Sequence, residues 1–408
     1  MRNRDDWVGL ELAKQTERLK YLDTILKGEG YCPFPPRRVF IEPTNACNLN
    51  CTHCVHDGTM KRPTGFMDLG VYKKIFEDIR NLNKTTEICL FQTGEPTLHP
   101  GIVEMVRIAS VDYDFFTKMN TNGVLVDKKM SEALIENRMD YLVFSLDAIS
   151  AETYSRIKRK PYFEKVMTNI LDFLEVWCTQ VTDFKRNMLA CDVILVEEEA
   201  NRHELPYIVD ALKKLPIGHI ETYELFNYQG AIKEANSKYA ERKNIPQPEW
   251  PGCNSPWDVV GIRWNGDVVA CVYDYDSKYV IGNVKHDSLV NIWNSDRMIE
   301  FRRNMATRRF DRIEAACGSK MCTECTIMWQ KEYQIPTDYY AEIKRMEYYL
   351  SRAIDRVHLR YKRTDALLEK WEYLRDHRDE WLTEFYRHGS SIGKPDAVGA
   401  KKIYDTAG

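Results

Sequence analysis

The sequence predicts an α/β protein built as a partial (β/α)6 barrel, followed by a C-terminal cysteine-rich module and a helical tail. Three observations predict it. Six short apolar runs alternate with helical stretches between Arg38 and about residue 230, the pattern of a parallel sheet with right-handed crossovers. A proline-bearing stretch, Asn244 to Gly252, then precedes Cys253, Cys271, Cys322 and Cys325. Beyond Ile335-Pro336 the chain becomes charged, with Ile343, Met346, Leu350, Ile354 and Val357 recurring every three or four positions.

Taken in order, residues 1–37 form an N-terminal extension. Within it Trp7, Leu10, Leu12, Leu19, Leu22, Ile25 and Leu26 predict an amphipathic helix over 5–28 that ends at Gly28 and Gly30. The barrel occupies 38–245. Its strands are expected at 39–41, 88–91, 115–120, 141–145, 191–196 and 219–226, and its helices near 68–80, 100–110, 127–138, 161–178 and 202–214. In the module, 246–336, the runs 259–264 and 268–272 flank Asn265-Gly266, which predicts a hairpin with a type I′ turn. The segment 337–388 reads as a long helix or helical hairpin whose simplest place is against its own barrel, and 389–408 as a flexible C-terminus.

Composition excludes several classes. Lys plus Arg number 58 and Asp plus Glu 61, a net charge of −3, so no global field draws in nucleic acid or an anionic membrane. No run approaches the ~20 apolar residues of a membrane span, and Met1 to Asp6 lacks the apolar core of a secretory signal. A cytoplasmic protein is expected. Twelve cysteines in that reducing compartment imply metal ligation or thiol chemistry rather than disulfides.

Cys47, Cys51 and Cys54 form Cys-x-x-x-Cys-x-x-Cys directly after the first strand, where parallel α/β folds place their active sites. Three thiolates leave one iron of a four-iron cluster open to a small molecule. A Cys₃His zinc site using His53 or His56, or three buried thiols, is the other reading of these residues alone. The spacing, with His53 before the third cysteine, resembles the radical S-adenosylmethionine enzyme superfamily. That resemblance implies a [4Fe–4S] cluster whose open iron chelates S-adenosylmethionine, and reductive cleavage to a 5′-deoxyadenosyl radical. It extends to Thr93-Gly94-Glu95-Pro96, similar to the family's Gly-Gly-Glu-Pro element with Thr93 in place of the first glycine. There the backbone and Glu95 receive the methionyl ammonium. It continues through Thr121-Asn122-Gly123 after the third strand and Ser145-Leu146-Asp147 at the end of the fourth. It implies cofactor contacts at His53, Thr93, Gly94, Glu95, Asn122 and Ser145, with Asp147 as helper, and a cation for the carboxylate in Arg156-Ile157-Lys158-Arg159, Lys158 being the expected one.

Cys253, Gly266 and Cys271 form Cys-x₁₂-Gly-x₄-Cys, and Cys322 with Cys325 forms Cys-x-x-Cys. Four thiolates close a tetrahedral site, and structural zinc is one occupant that fits. The spacing resembles the twitch module, a shortened SPASM domain, which implies one auxiliary [4Fe–4S] cluster; two such clusters and S-adenosylmethionine are therefore the expected cofactors. Cys317 adjoins this set as a possible hydrogen-atom donor. A closed auxiliary cluster suits electron transfer, so the expected activity is dehydrogenation, with epimerisation beside it, of a small polyhydroxylated substrate such as an aminocyclitol or sugar. Glu221, Tyr223, Glu224 and Asn227 on strand six are candidate substrate contacts. Expected partners are that small molecule and a one-electron reductant such as flavodoxin or ferredoxin. The ~37 residues before Arg38 are few for a leader-binding domain, which disfavours the alternative, a peptide maturase. A zinc-stabilised interaction module is the non-enzymatic alternative.

Overall fold

In the computed structural model, the described residues are 22–81, 86–180, 190–233, 244–330, 333–338, 340–344 and 364–392, with single positions at 13, 16, 19, 235 and 346. The expected N-terminal helix lies mostly outside them. Its end is helical over 22–26, and Gly28 closes it with φ +68°.

The barrel half is built from β1 (Arg38–Ile41), α1 (Leu69–Ile79), β2 (Glu87–Cys89), α2 (Ile102–Arg107), β3 (Phe116–Thr121), α3 (Lys128–Glu136), β4 (Tyr141–Ser145), α4 (Ala151–Lys158), α5 (Phe163–Gln180), β5 (Ala190–Glu197), α6 (Leu205–Leu212) and β6 (His219–Glu224). Each strand from β1 to β6 pairs in parallel with the next. All their C-terminal ends therefore open on the same side. Alternation divides each strand between two faces. Val39, Ile41, Ile88, Leu90, Met119, Leu142, Phe144, Cys191 and Val193 are buried in the main core. The helices start where side chains cap them: Asp68 accepts from the amides of Gly70 and Val71, Asp127 from Met130, and Ser150 from Thr153.

The module contributes β7 (Val259–Ile262), β8 (Asp267–Val269), β9 (Val280–Asn283), α7 (Leu289–Trp293), α8 (Asp296–Ala306) and α9 (Phe310–Cys317). It joins the barrel directly. β7 pairs in parallel with β1, and β8 and β9 follow antiparallel, giving one nine-stranded sheet in the order β6-β5-β4-β3-β2-β1-β7-β8-β9. The hairpin turn differs from the expected type I′. Within the turn only Gly266 takes a positive φ, +91°, while the amide of Arg263 reaches the Asp267 carbonyl at 2.8 Å and that of Gly266 the Arg263 carbonyl at 2.9 Å. A three-residue loop with glycine in the left-handed position satisfies these bonds, so Asn265 keeps an ordinary backbone.

The tail forms α10 (Thr364–Ile392), bent at His377. It packs on the barrel: Arg378 pairs with Glu175 at 2.7 Å and with Asp172, and Phe385 stacks on Phe163 with centroids 6.1 Å apart. Of the stretch 389–408 expected to be flexible, 389–392 continue this helix to Ile392, and 393–408 lie outside the described residues. A Cβ on Gly389 would meet the Ile149 carbonyl, and this close approach is what the glycine permits.

Candidate active site

The loops after β1 to β4 meet at the C-terminal ends of the strands, and backbone bonds stitch them together. The amide of Glu95 donates to the Ala46 carbonyl at 2.8 Å, and the amide of Thr52 to Ile157 at 2.9 Å. Gly94 makes the first contact possible. A Cβ there would lie 2.6 Å from the Ala46 carbonyl and 2.7 Å from Asn45 Cα, and would also strike the Thr44 carbonyl. Gly94→Ala is therefore expected to push the two loops apart and destabilise the protein by about 3 kcal/mol, read as a lower thermal midpoint with a matching loss of cluster iron. An unchanged midpoint would show that the loops are not held this closely.

Glu95 is buried and fully engaged. Its carboxylate accepts from the Thr97 amide (3.1 Å) and hydroxyl (2.6 Å), the Thr121 hydroxyl (2.8 Å) and the Asn122 amide (2.8 Å). Burial nonetheless raises its pKa, because these four donors only partly replace water. Asn122 donates onward to Asn48 at 2.7 Å, tying the third strand to the cysteine loop. The carbonyl of Thr93 accepts from His56 Nε2 at 2.6 Å; burial keeps His56 below the usual histidine pKa, which suits a neutral ring with hydrogen on that nitrogen.

The three cysteines differ electrostatically. Burial pushes the Cys47 thiol up to about 12 and that of Cys54 to about 11, and nearby thiolates add to both shifts. Burial acts on Cys51 too, but the Lys158 ammonium and a hydrogen bond from His53 outweigh it and bring the thiol below its ordinary value. Three mutually repelling thiolates in a buried loop with cations beside one of them fit a cationic iron centre. Burial opposes charge on His53, yet its bonds to Cys51 and Glu198 raise its pKa to about 9; Nδ1 lies 2.6 Å from Glu198. Lys158 is buried, donating to Ser145 Oγ at 3.0 Å and to Asp147. Asp147, at φ +66°, also accepts from the Val196 amide at 2.6 Å. Ser145, Asp147 and Lys158 thus form one hydrogen-bonded group beneath Cys51. Arg156 and Arg159 instead line an open cleft, with Glu198, Arg202, Glu224 and Lys233.

In the module, Cys253, Cys271, Cys322 and Cys325 line a single small cavity, walled by Tyr273, Phe301, Met305, Met321, Ile327 and Met328. Burial raises all four thiols, and the coupling of Cys271 and Cys322 to the other cysteines adds to this. Four converging thiols in an apolar wall fit a closed cluster. Cys317 ends α9 with its Sγ 3.3 Å from the Ser319 carbonyl, and it does not line this cavity. Aromatic rings bridge the two cysteine sites: Tyr228 lies within electrostatic reach of Cys51 and Cys54, and it packs on Phe226 at 4.7 Å. Phe226 in turn packs at 4.8 Å on Tyr273 of the second cavity wall.

Of the strand-six candidates, Tyr223 donates to Glu221 at 2.7 Å and is exposed, and Glu224 reaches the cleft. Asn227 is taken up by the module, donating to the Glu324 carbonyl at 2.6 Å and accepting from Thr326. Sequence reasoning missed Glu198, whose only signal was the acidic run 197–199 at the end of β5. It also missed a buried group formed by Glu42, Arg62 and Arg263. Arg62 donates to Glu42 at 2.7 Å, and Arg263 lies 3.6 Å from Glu42. Arg263 also donates to Gln92, to the Thr93 hydroxyl at 3.4 Å and to the Asp274 carbonyl. This group ties the Thr93–Glu95 loop to the chain that follows Cys271.

Residues 41–184 match the family model of the radical SAM superfamily, and residues 253–326 match that of the SPASM iron–sulfur cluster-binding domain. The chain is a radical SAM enzyme with a SPASM module, and it uses S-adenosylmethionine and [4Fe–4S] clusters. It is 27% identical over 302 residues to the tungsten-containing aldehyde ferredoxin oxidoreductase cofactor-modifying protein of Pyrococcus furiosus, covering 65% of this chain and 82% of that protein. It is 20% identical to the S-adenosyl-L-methionine-dependent 2-deoxy-scyllo-inosamine dehydrogenase of Niallia circulans, over 72% of this chain and 95% of that one. The crystal structure of Streptococcus suis SuiB bound to precursor peptide SuiA shares its fold, with a TM-score of 0.55 at 14% identity, over 77% of this chain and 79% of SuiB. Among the described residues no helix is long and apolar enough to cross a membrane.

Proposed function

We propose that this enzyme removes a hydrogen atom from a small polyhydroxylated substrate and oxidises the resulting carbon radical, acting as a dehydrogenase of a sugar or cyclitol. The observation that carries the reading is the pairing of a three-cysteine loop with a cavity lined by four cysteines. Bound at the first site, the cluster and S-adenosylmethionine supply a 5′-deoxyadenosyl radical. Cys47, Cys51 and Cys54 hold that cluster, and His53 and Lys158 offset the charge on Cys51. Thr93, Gly94, Glu95, Asn122 and Ser145 form the wall that receives the cofactor, with Asp147 holding Lys158 and Ser145 in place. Cys253, Cys271, Cys322 and Cys325 would hold a closed cluster, which would supply a one-electron acceptor there, and the Tyr228–Phe226–Tyr273 rings fill the space between the two cysteine sites. A low-potential flavodoxin or ferredoxin is the expected reductant. The similarity to the inosamine dehydrogenase supports this branch.

A peptide substrate is the second reading, favoured by the width of the cleft lined by Arg156, Arg159 and Glu224. Incubating the reconstituted enzyme with reductant, S-adenosylmethionine and ring-deuterated sugars or cyclitols tests between them. The proposal expects deuterium in 5′-deoxyadenosine and a product lacking two hydrogens. Deuterium transfer only from a peptide would overturn it.

A further inference from the structure

On the face of the sheet opposite the helix-packed core, alternation places Phe40, Phe91, Lys118, Asn120 and Tyr141. Lys118 projects from β3 between two rings, its Nζ 4.7 Å from the centroid of Tyr141 and 5.9 Å from that of Phe91, which packs edge-on against Phe40. The residue as a whole is half-buried. Among the described residues this ammonium makes no ion pair and no hydrogen bond. Glu87, which pairs with Arg38 at 3.3 Å, and Asp192, which accepts from the Tyr141 hydroxyl, lie within electrostatic reach of this ammonium, but neither forms an ion pair with it. Burial pulls the Lys118 pKa below the ordinary lysine value. Two residues along β3, toward the cysteine loop, the buried carboxamide oxygen of Asn120 has no partner. Ring faces compensate a desolvated ammonium only partly, and a buried acceptor left without a donor costs free energy. Two such groups on adjacent inward positions of one strand are explained together by a ligand that carries an anion and a hydrogen-bond donor.

We propose that Lys118 is the anion receptor of the substrate chamber, so that the substrate is a small hydroxylated molecule bearing a carboxylate or phosphate. Its charge docks on Lys118 and one of its hydroxyls donates to Asn120. The inference rests on the dehydrogenase reading above and narrows it: an amino sugar would set ammonium against ammonium, whereas a sugar acid or sugar phosphate supplies an anion that can pair directly with Lys118.

Titration calorimetry of the reconstituted protein with galacturonate, galactose 6-phosphate, galactose and galactosamine tests this. At least one of the two anions is expected to bind about tenfold or more tightly than galactose, with galactosamine weakest. Which anion wins separates carboxylate from phosphate. Lys118→Met should abolish the preference and Lys118→Arg should keep it, which distinguishes lost charge from lost folding. Failure of both anions to bind, equal binding of galactose or galactosamine, or a preference that survives Lys118→Met would overturn the assignment. Deoxyadenosine formation by the wild-type protein without any sugar tests the radical reading separately.

Discussion

Cys51→Ala is expected to reduce deoxyadenosine formation by about 10³-fold or more and to lower the iron content from about eight to about four per chain. The thiol of Cys51 is the one that Lys158 and His53 hold below the ordinary value, so it is the most readily ionised of the three thiols. Its loss leaves Cys47 and Cys54, whose burial favours the protonated, non-ligating thiol. Cys271→Ala should separate the two functions. It opens the second site, so about four irons should again be lost, yet deoxyadenosine should still form while the oxidised product disappears. Iron analysis and chromatography of the nucleoside and product on both variants check the pair of outcomes. Equal loss of deoxyadenosine in both would contradict the division of labour.

Glu42→Gln carries the largest expected effect on stability. Glu42 is fully buried at the end of β1, with Arg62 on one side and Arg263 on the other. Removing the carboxylate charge leaves the buried Arg263 and the half-buried Arg62 without their shared counter-charge, a loss of about 3–5 kcal/mol. Burial disfavours the charged form of Glu42, but Arg263 and Arg62 outweigh it and hold its pKa below the usual glutamate range. A depressed folded-state pKa contributes stability that is fully present above the unfolded value of about 4.3 and is lost as pH falls through the folded value. Wild-type stability should therefore fall with acid in that window, and Glu42→Gln should flatten that part of the profile. Denaturant midpoints between pH 7 and pH 3 measure it. A variant as stable as wild type at pH 7 would show that the group is not a buried ion cluster.

Much of the frame was legible in the sequence because its signals are local. The six strands follow short apolar runs, the cysteine spacings lie within a few residues, and Glu95 follows its strand directly. What escaped is what depends on distant partners. Glu42, Arg62 and Arg263 look like ordinary charges, since Arg62 and Arg263 stand 20 and 221 positions along the chain from Glu42, and only the pairing of β7 with β1 brings them together. Lys158 is expected from the sequence as a cation for the cofactor carboxylate, but not as the buried partner of Asp147. The left-handed backbone at Asp147 turns the aspartate carboxylate onto it. The helix α4 escaped as well, because its polar eight residues carry little apolar periodicity and its start depends on the Ser150 cap. The loop at Asn265-Gly266 shows a strong turn dipeptide adopting a different turn, where the backbone bonds around Arg263 set the geometry.

The most direct measurement of the central claim is electron paramagnetic resonance of the dithionite-reduced, iron-reconstituted Cys271→Ala protein before and after addition of S-adenosylmethionine. The three-cysteine site predicts a signal whose g-values shift when the cofactor occupies the open iron. A reduced-cluster signal that the cofactor leaves unchanged would contradict it.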